Sequence, residues 1–133
     1  MSPTQRTRAY LKAKGFISHI TEKWNSHAKI TQDMFGFIDL VYLDTSMNRI
    51  VGVQVTSGAN HANRKAKIIG ECRKQALEWM LCEGAIEVFS WSKRKSEKIT
   101  KKGKRSKQMI WVPRIEEIEI TELILRELPV HQS

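Results

Sequence analysis

Two apolar segments joined by a four-residue turn constrain the fold most. Residues 35–44 read FGFIDLVYLD and residues 49–56 read RIVGVQVT. Both are rich in β-branched and aromatic residues, which predicts two adjacent antiparallel strands. If Asp44 pairs with Arg49 across the turn, the register places Asp39 opposite Gln54 on one face of the sheet.

Asp39 and Gln54 are unusual because each lies between two large apolar residues. A buried carboxylate is costly unless a cation, a metal or a hydrogen-bond network compensates it. Two side-chain oxygens with a nearby backbone carbonyl form half of a Mg²⁺ site. The alternative is a buried Asp–Gln hydrogen bond that only fixes the strand register. Glu22 is a further oxygen donor, and Asp33 is an extra candidate that either contacts the metal or caps a loop.

The remaining pattern predicts a single α/β domain over residues 1–133, with helices flanking a mixed sheet. The predicted order is α-β-β-β-α-β followed by C-terminal accessory elements. Before the two strands above, the sequence predicts a helix over 4–15 capped by Thr4, a strand over 16–24 and a loop over 25–33. After them it predicts one long helix over 61–83, a strand over 85–91 and a short strand around 110–112. The last stretch, over 115–128, is helical or begins as a strand.

The positive charge of the chain is local. The net charge is +9, and residues 93–107 hold nine basic residues against the single acid Glu97. The basic residues are Lys93, Arg94, Lys95, Lys98, Lys101, Lys102, Lys104, Arg105 and Lys107. Such a segment indicates contact with nucleic-acid phosphates. The alternative is a solvated loop of the same composition whose charge keeps the protein soluble. Trp111 follows this segment and is a candidate for stacking on a base.

Cysteine usage and hydropathy restrict the compartment. Cys72 and Cys82 fall within one predicted helix, about 15 Å apart, too far for a disulfide. We therefore expect reduced cysteines and no structural zinc, since the four histidines are scattered. No apolar run is long enough to span a membrane, and the first residues lack a signal-peptide pattern. These features predict a cytoplasmic protein.

Several short motifs follow one another in the order of a known family. They are Glu22-Lys23-Trp24-Asn25, the stretch from Asp33 to Asp39, Gln54-Val55-Thr56-Ser57, and then His61, Arg64 and Lys67. This series resembles the PD-(D/E)XK nuclease superfamily, which includes restriction endonucleases and Holliday junction resolvases, and in particular its small phage and bacterial members. The resemblance covers roughly residues 5–92.

The resemblance implies a restriction-endonuclease-like core and a Mg²⁺- or Mn²⁺-dependent endonuclease acting on duplex or branched DNA. Asp39 matches the aspartate of the second motif, and Glu22 matches the glutamate of the first. The metal would be held by Asp39, Gln54, Glu22 and the carbonyl of Val55. The resemblance also agrees with a homodimer, because two active sites can cut two strands.

Two positions depart from the family pattern. Gln54 stands where the family has Asp or Glu, so it brings an oxygen but no charge, and Thr56 stands where the family has Lys. Arg64 or Lys67, in the first turns of the following helix, could supply the missing positive charge at the scissile phosphate. Otherwise these two residues are helix-surface charge, or a phosphate clamp at the helix N-terminus that His61 and Asn63 could join.

Two other functions also agree with the sequence. The chain could be a decayed nuclease fold that binds nucleic acid without cleaving it, as Gln54 and Thr56 would suggest. It could instead act in a protein assembly, with the basic segment docking an acidic partner. In that case nucleic-acid affinity would not survive physiological salt.

Overall fold

The computed structural model describes residues 1–105 and 107–125, and it contains a five-stranded mixed sheet with helices on both faces. In chain order the elements are α1 (Pro3–Ala13), β1 (Ser18–Ile20), β2 (Lys23–Asn25), β3 (Ile30–Gln32), β4 (Leu40–Asp44), β5 (Arg49–Ser57), a 3₁₀ turn (Gly58–Asn60), α2 (His61–Ile69), α3 (Arg73–Leu81), β6 (Gly84–Lys95), β7 (Met109–Glu117) and α4 (Ile120–Ile124). The large sheet has the order β1-β4-β5-β6-β7, and β2 and β3 form a separate hairpin. The predicted mixed sheet flanked by helices is confirmed.

The strand pairing follows the predicted register. β4 and β5 are antiparallel and pair from Asp44–Arg49 to Leu40–Val53. β5 and β6 are parallel, whereas β1 with β4 and β6 with β7 are antiparallel. The parallel pair needs a crossover, which α2 and α3 supply.

Two hydrophobic clusters fill the space on either side of the sheet. Leu11 of α1 shares one cluster with Val53 of β5. Ile68 of α2 lies in the other cluster, together with residues of α3 and α4. Because side chains alternate along a strand, Gln54 and Thr56 face the opposite side from Val53, toward α2. The unusual polar residues of β5 therefore lie beneath this helix.

The predicted strand over 35–44 is shorter than expected, because the chain turns before Leu40. Phe35 has φ 56° and Gly36 has φ 84°, which ends extended structure at this point. The N–H of Met34 donates to the carbonyl of Ile38 at 2.9 Å and closes the turn. An apolar sequence alone does not reveal this turn, since glycine is the only residue in it that marks one.

The single strand predicted over 16–24 is two short strands, β1 and β2, which belong to different sheets. The predicted loop over 25–33 contains β3, which pairs with β2 to form a hairpin. Its turn is stabilised by Asn25, whose Oδ1 accepts the N–H groups of His27 and Ala28. β3 is exposed throughout, so it lacks the apolar alternation that predicts a strand.

Helix boundaries also differ from the prediction. The single helix expected over 61–83 is two helices, interrupted at Gly70, which is a poor helix former. α1 is capped by Ser2, whose Oγ accepts the N–H of Gln5, whereas Thr4 lies buried inside the helix. The stretch expected over 115–128 begins as strand β7 and continues as the short helix α4, and residues 126–128 lie outside the described part.

Both cysteines are free thiols, Cys72 buried and Cys82 exposed. Among the helices of the described residues, none has the length and apolar character required to cross a bilayer.

Candidate metal centre and nucleic-acid surface

Three carboxylates converge beside the start of β4. Glu22, Asp33 and Asp39 each bring a carboxylate oxygen within 4.8 Å of the others. Asp39 is buried, with 4% of its surface exposed, whereas the other two are half-buried. Two of these acids were predicted as ligands and the third as an extra candidate, and the fold brings all three together.

Backbone hydrogen bonds set the relative positions of these acids. The carbonyl of Asp39 accepts the N–H groups of Thr21 and Glu22, at 2.9 and 3.1 Å. These bonds tie the residues after β1 to the residue that precedes β4. Asp33 directly follows β3, so the β2–β3 hairpin positions it beside the other two acids.

Gln54 and Val55 contact the same oxygen of Asp39. Oδ2 of Asp39 accepts hydrogen bonds from Nε2 of Gln54 and from the N–H of Val55, both at 2.7 Å. The predicted contact between Asp39 and Gln54 is therefore present. The carbonyl of Val55 faces the same edge of β5 as its N–H, since both groups of an extended residue point to one side.

The amide oxygen of Gln54 has no hydrogen-bond partner. Gln54 is 1% exposed, and among the described residues its buried Oε1 finds no hydrogen-bond partner. An unsatisfied buried acceptor costs roughly 1–3 kcal/mol. A cation beside Asp39 would satisfy this oxygen if the amide group turned by half a rotation about its Cγ–Cδ bond.

The environment of Asp39 strongly favours its neutral form. Burial raises the pKa of Asp39 from 3.8 to about 9, and a hydrogen bond with Asp33 and the charges of Asp33 and Glu22 add to the rise. The N–H of Val55 acts in the opposite direction. Ionisation of buried Asp39 beside two further acids is unfavourable unless a cation compensates its charge. A divalent cation bound beside Asp39 would therefore offset the repulsion between the carboxylates of this cluster.

The donor set fits a hard divalent cation. Every group in the cluster offers oxygen, which Mg²⁺ and Mn²⁺ prefer, and none offers the sulfur or imidazole ligands typical of zinc. The unpartnered oxygen of Gln54 supports the same assignment, because amide oxygens also coordinate such ions.

Of the two predicted basic residues, Lys67 is the one that reaches the carboxylates. Its Nζ lies 3.8 Å from Oδ2 of Asp33. Arg64 is half-buried one turn earlier on α2. Lys65, between them in sequence, points elsewhere and pairs with Glu116 at 2.6 Å. Thr56 is buried and faces α2. Its hydroxyl group is uncharged, so it cannot supply the positive charge of a lysine at this position.

Two clefts meet at Asp33 and give access to the cluster. One has a volume of about 610 Å³ and is also lined by Lys67 and Cys72. The other, of about 450 Å³, is also lined by Thr21 and Lys23. Asp33 is thus reachable from outside through both clefts, whereas Asp39 is buried.

His61, which the sequence offered as a possible member of a phosphate clamp, contacts β6 and β7 instead of lying on the surface. It is buried, and its ring nitrogens contact Oγ of Ser90 at 2.6 Å and Oε1 of Glu116 at 2.8 Å. This network joins the start of α2 to β6 and β7. The sequence contains no local signal for it, because the partners are 29 and 55 residues away.

The basic segment forms the end of the β6–β7 hairpin. β5 pairs with β6 only as far as Ser57–Trp91, whereas β6 and β7 continue to pair to Lys95–Met109. We call residues 92–112 the basic arm. Its predicted nucleic-acid residues are all exposed: Lys93, Arg94, Lys101, Lys102, Lys104, Arg105, Lys107 and Trp111.

Trp111 is exposed but one of its contacts was not predicted. The guanidinium of Arg6 lies 3.9 Å from the centre of the Trp111 ring, and Nζ of Lys93 lies 5.2 Å from it. Arg6 thus adds a positive charge beside the arm. The sequence contains no local signal for this contact, because the two residues lie near opposite ends of the chain.

Comparison of the chain with family models, with curated proteins and with solved structures finds no match. The roles of the site residues are therefore inferred from their own geometry and chemistry.

Proposed function

We propose that this protein is a Mg²⁺- or Mn²⁺-dependent nuclease of the PD-(D/E)XK kind that hydrolyses phosphodiester bonds of DNA. The observation that carries the proposal is the carboxylate cluster of Glu22, Asp33 and Asp39. Gln54 contacts this cluster through Nε2, and its buried Oε1 has no partner among the described residues. The basic arm supports a nucleic-acid substrate, because it leaves the same end of the sheet as the cluster.

In this proposal Asp39, Glu22, Gln54 and the carbonyl of Val55 hold the metal, and Asp33 adds a carboxylate. The metal would act as a Lewis acid and would lower the pKa of a bound water. Glu22 either binds the metal or positions that water. Burial of Asp39 among other acids makes it a ligand whose proton a cation displaces.

Lys67 would stabilise the charge on the scissile phosphate. Its ion pair with Asp33 is long, at 3.8 Å, and both side chains are partly exposed, so it is worth at most about 1 kcal/mol. The ammonium group can therefore turn to a phosphate at little cost. Arg64, one turn away, is the second basic group within the first turns of α2.

A binding module without cleavage activity is the second candidate. It is favoured by the orientation of Gln54, which presents nitrogen to Asp39, and by Thr56 in place of the family lysine. In this case the Asp39–Gln54 hydrogen bond would be structural, and positive charge in the arm alone would bind DNA. A third candidate is a role in a protein assembly, in which the basic segment docks an acidic partner. It differs from the other two because it predicts no DNA binding at physiological salt.

Thermal unfolding with increasing MgCl₂ or MnCl₂ separates the first two candidates. We expect the wild type to be stabilised, by about 2.7 kcal/mol when the metal reaches roughly 100 times its Kd. Asp39→Ala should lose this response. Glu78→Gln, which removes an exposed carboxylate on α3, is the matched control and should keep it. A wild type that does not respond to either metal would identify the protein as a binding module.

A further inference from the structure

We propose that the basic arm enters the major groove of double-helical DNA, so that the substrate class of this protein is B-form DNA rather than duplex RNA or a single strand. The inference deepens the proposed function, on which it rests for the cleavage step but not for binding.

The first observation is the shape of the arm. Beyond Trp91 only two strands remain, and they pair to Lys95–Met109. Hydrogen bonds continue to the tip, from the N–H of Ser96 to the carbonyl of Gln108 at 2.8 Å and from the N–H of Thr100 to that of Lys104 at 2.7 Å. A two-stranded ribbon of this kind fits the major groove, which is about 12 Å wide, but not the minor groove at about 6 Å.

The second observation is the distribution of charge over both faces of the arm. Lys93 and Lys95 lie on the face that continues from Trp91 and α1, and Arg94 lies on the opposite face, since side chains alternate along β6. A ribbon lying across the DNA surface would need its charges on one face. A ribbon that enters a groove edge-on presents one face to each wall, so charges on both faces can contact both rows of phosphates.

The third observation is the apolar content of the arm. Ile99 near the tip is 74% exposed, and Met109, Ile110 and Trp111 are 49%, 41% and 45% exposed. Single exposed apolar residues are ordinary, but four within one strongly basic hairpin are not. In the major groove they would contact the methyl groups of thymine, which are displayed there and not in the minor groove.

Geometry also excludes double-stranded RNA. The major groove of an A-form helix is too deep and narrow for side chains to enter, so the arm would reach only the phosphates. Within the sheet, Gln54 pairs with Val88, and Lys95 lies seven residues farther along β6. That separation is roughly 23 Å, so the duplex should extend about 7 base pairs from the carboxylates to the arm.

Binding of the full chain in EDTA tests this inference without cleavage. Fluorescence anisotropy would compare a DNA duplex of about 24 base pairs with the RNA duplex and the single strand of the same sequence. The arm variant carries Lys101→Ala and Lys102→Ala. The matched control carries Lys12→Ala and Lys74→Ala, which removes the same charge from exposed positions on α1 and α3. Thermal melts verify that both variants fold.

We expect the wild type to bind duplex DNA at least about tenfold more tightly than duplex RNA. The arm variant should lose this preference, and the slope of log K against log salt should fall by about 2. The control variant should keep both. Methyl green, a major-groove ligand, should displace the protein, and netropsin, a minor-groove ligand, should not.

Equal affinity for duplex DNA and RNA, equal loss in arm and control variants, or displacement by netropsin alone would overturn the inference. The outcome for the nuclease is separate. Arm-dependent binding of DNA without metal-dependent cleavage would retain the arm assignment and remove the nuclease. Metal-dependent cleavage with no contribution from the arm would retain the nuclease and remove the arm assignment.

Discussion

Replacing Asp39 by Asn should stabilise the fold and at the same time remove a ligand from the candidate metal centre. Oδ2 of Asp39 accepts hydrogen bonds from Gln54 and from the N–H of Val55, and the oxygen of an asparagine can accept the same two. The asparagine NH₂ would then face Asp33 and Glu22, so it can donate a hydrogen bond where the wild type places a third acid.

The magnitude follows from the pKa of Asp39, which is raised from 3.8 to about 9 in the folded protein. The folded state keeps the proton in a range where the unfolded chain has lost it. The favourable contribution is therefore fully present below the unfolded value and is lost as the pH rises toward the folded value. The penalty grows by at most about 1.4 kcal/mol per pH unit, which sets an upper limit of about 4 kcal/mol at neutral pH. Asparagine does not titrate and carries no such penalty.

Urea unfolding in EDTA, between about pH 5 and about pH 8, measures this difference. The free energy of unfolding of Asp39→Asn minus that of the wild type should increase with pH. Glu78→Gln removes an exposed carboxylate, and its difference from the wild type should stay constant over the same range. A constant difference for Asp39→Asn, or a variant less stable than the wild type at neutral pH, would refute the reasoning.

Three further substitutions separate the roles of the site residues. Gln54→Glu adds a fourth carboxylate and should tighten Mn²⁺ binding about tenfold in calorimetry while lowering the melting temperature in EDTA; unchanged affinity would argue against Gln54 as a ligand. Lys67→Ala should slow single-turnover cleavage by about 10²-fold without loss of fold, whereas Lys65→Ala should change stability only; equal effects of the two would remove the role of Lys67. His61→Ala removes the side-chain partner of buried Ser90 and should cost about 1–3 kcal/mol in urea unfolding, and a cost below about 0.5 kcal/mol would contradict the buried network.

Local patterns in the sequence predicted the central part of the sheet well. The four-residue turn and the apolar runs on either side determine the β4–β5 register, and that register brings Asp39 to Gln54. The helix break at Gly70 was missed because glycine is tolerated within many helices, and packing decides whether it interrupts one. The β2–β3 hairpin was missed because its strands lack a buried face.

The candidate site was predicted less completely, because it depends on contacts between distant segments. Asp33 joins the carboxylates only because the hairpin before it and the turn at Phe35 bring it back to Asp39. Arg64 and Lys67 lie one turn apart, so spacing could not decide which approaches the acids. The contact of Arg6 with Trp111 joins opposite ends of the chain, and no short pattern reports it.

Cleavage of labelled linear, nicked and four-way-junction DNA, with Mg²⁺ or Mn²⁺, tests the nuclease assignment most directly. Wild type, Asp39→Asn and the control Glu78→Gln would be compared after thermal melts have shown that each is folded. We predict metal-dependent cleavage by the wild type and the control, and none by Asp39→Asn, which is the more stable protein at neutral pH. Cleavage by Asp39→Asn at the wild-type rate, or binding by all three proteins with no cleavage by any, would contradict the assignment.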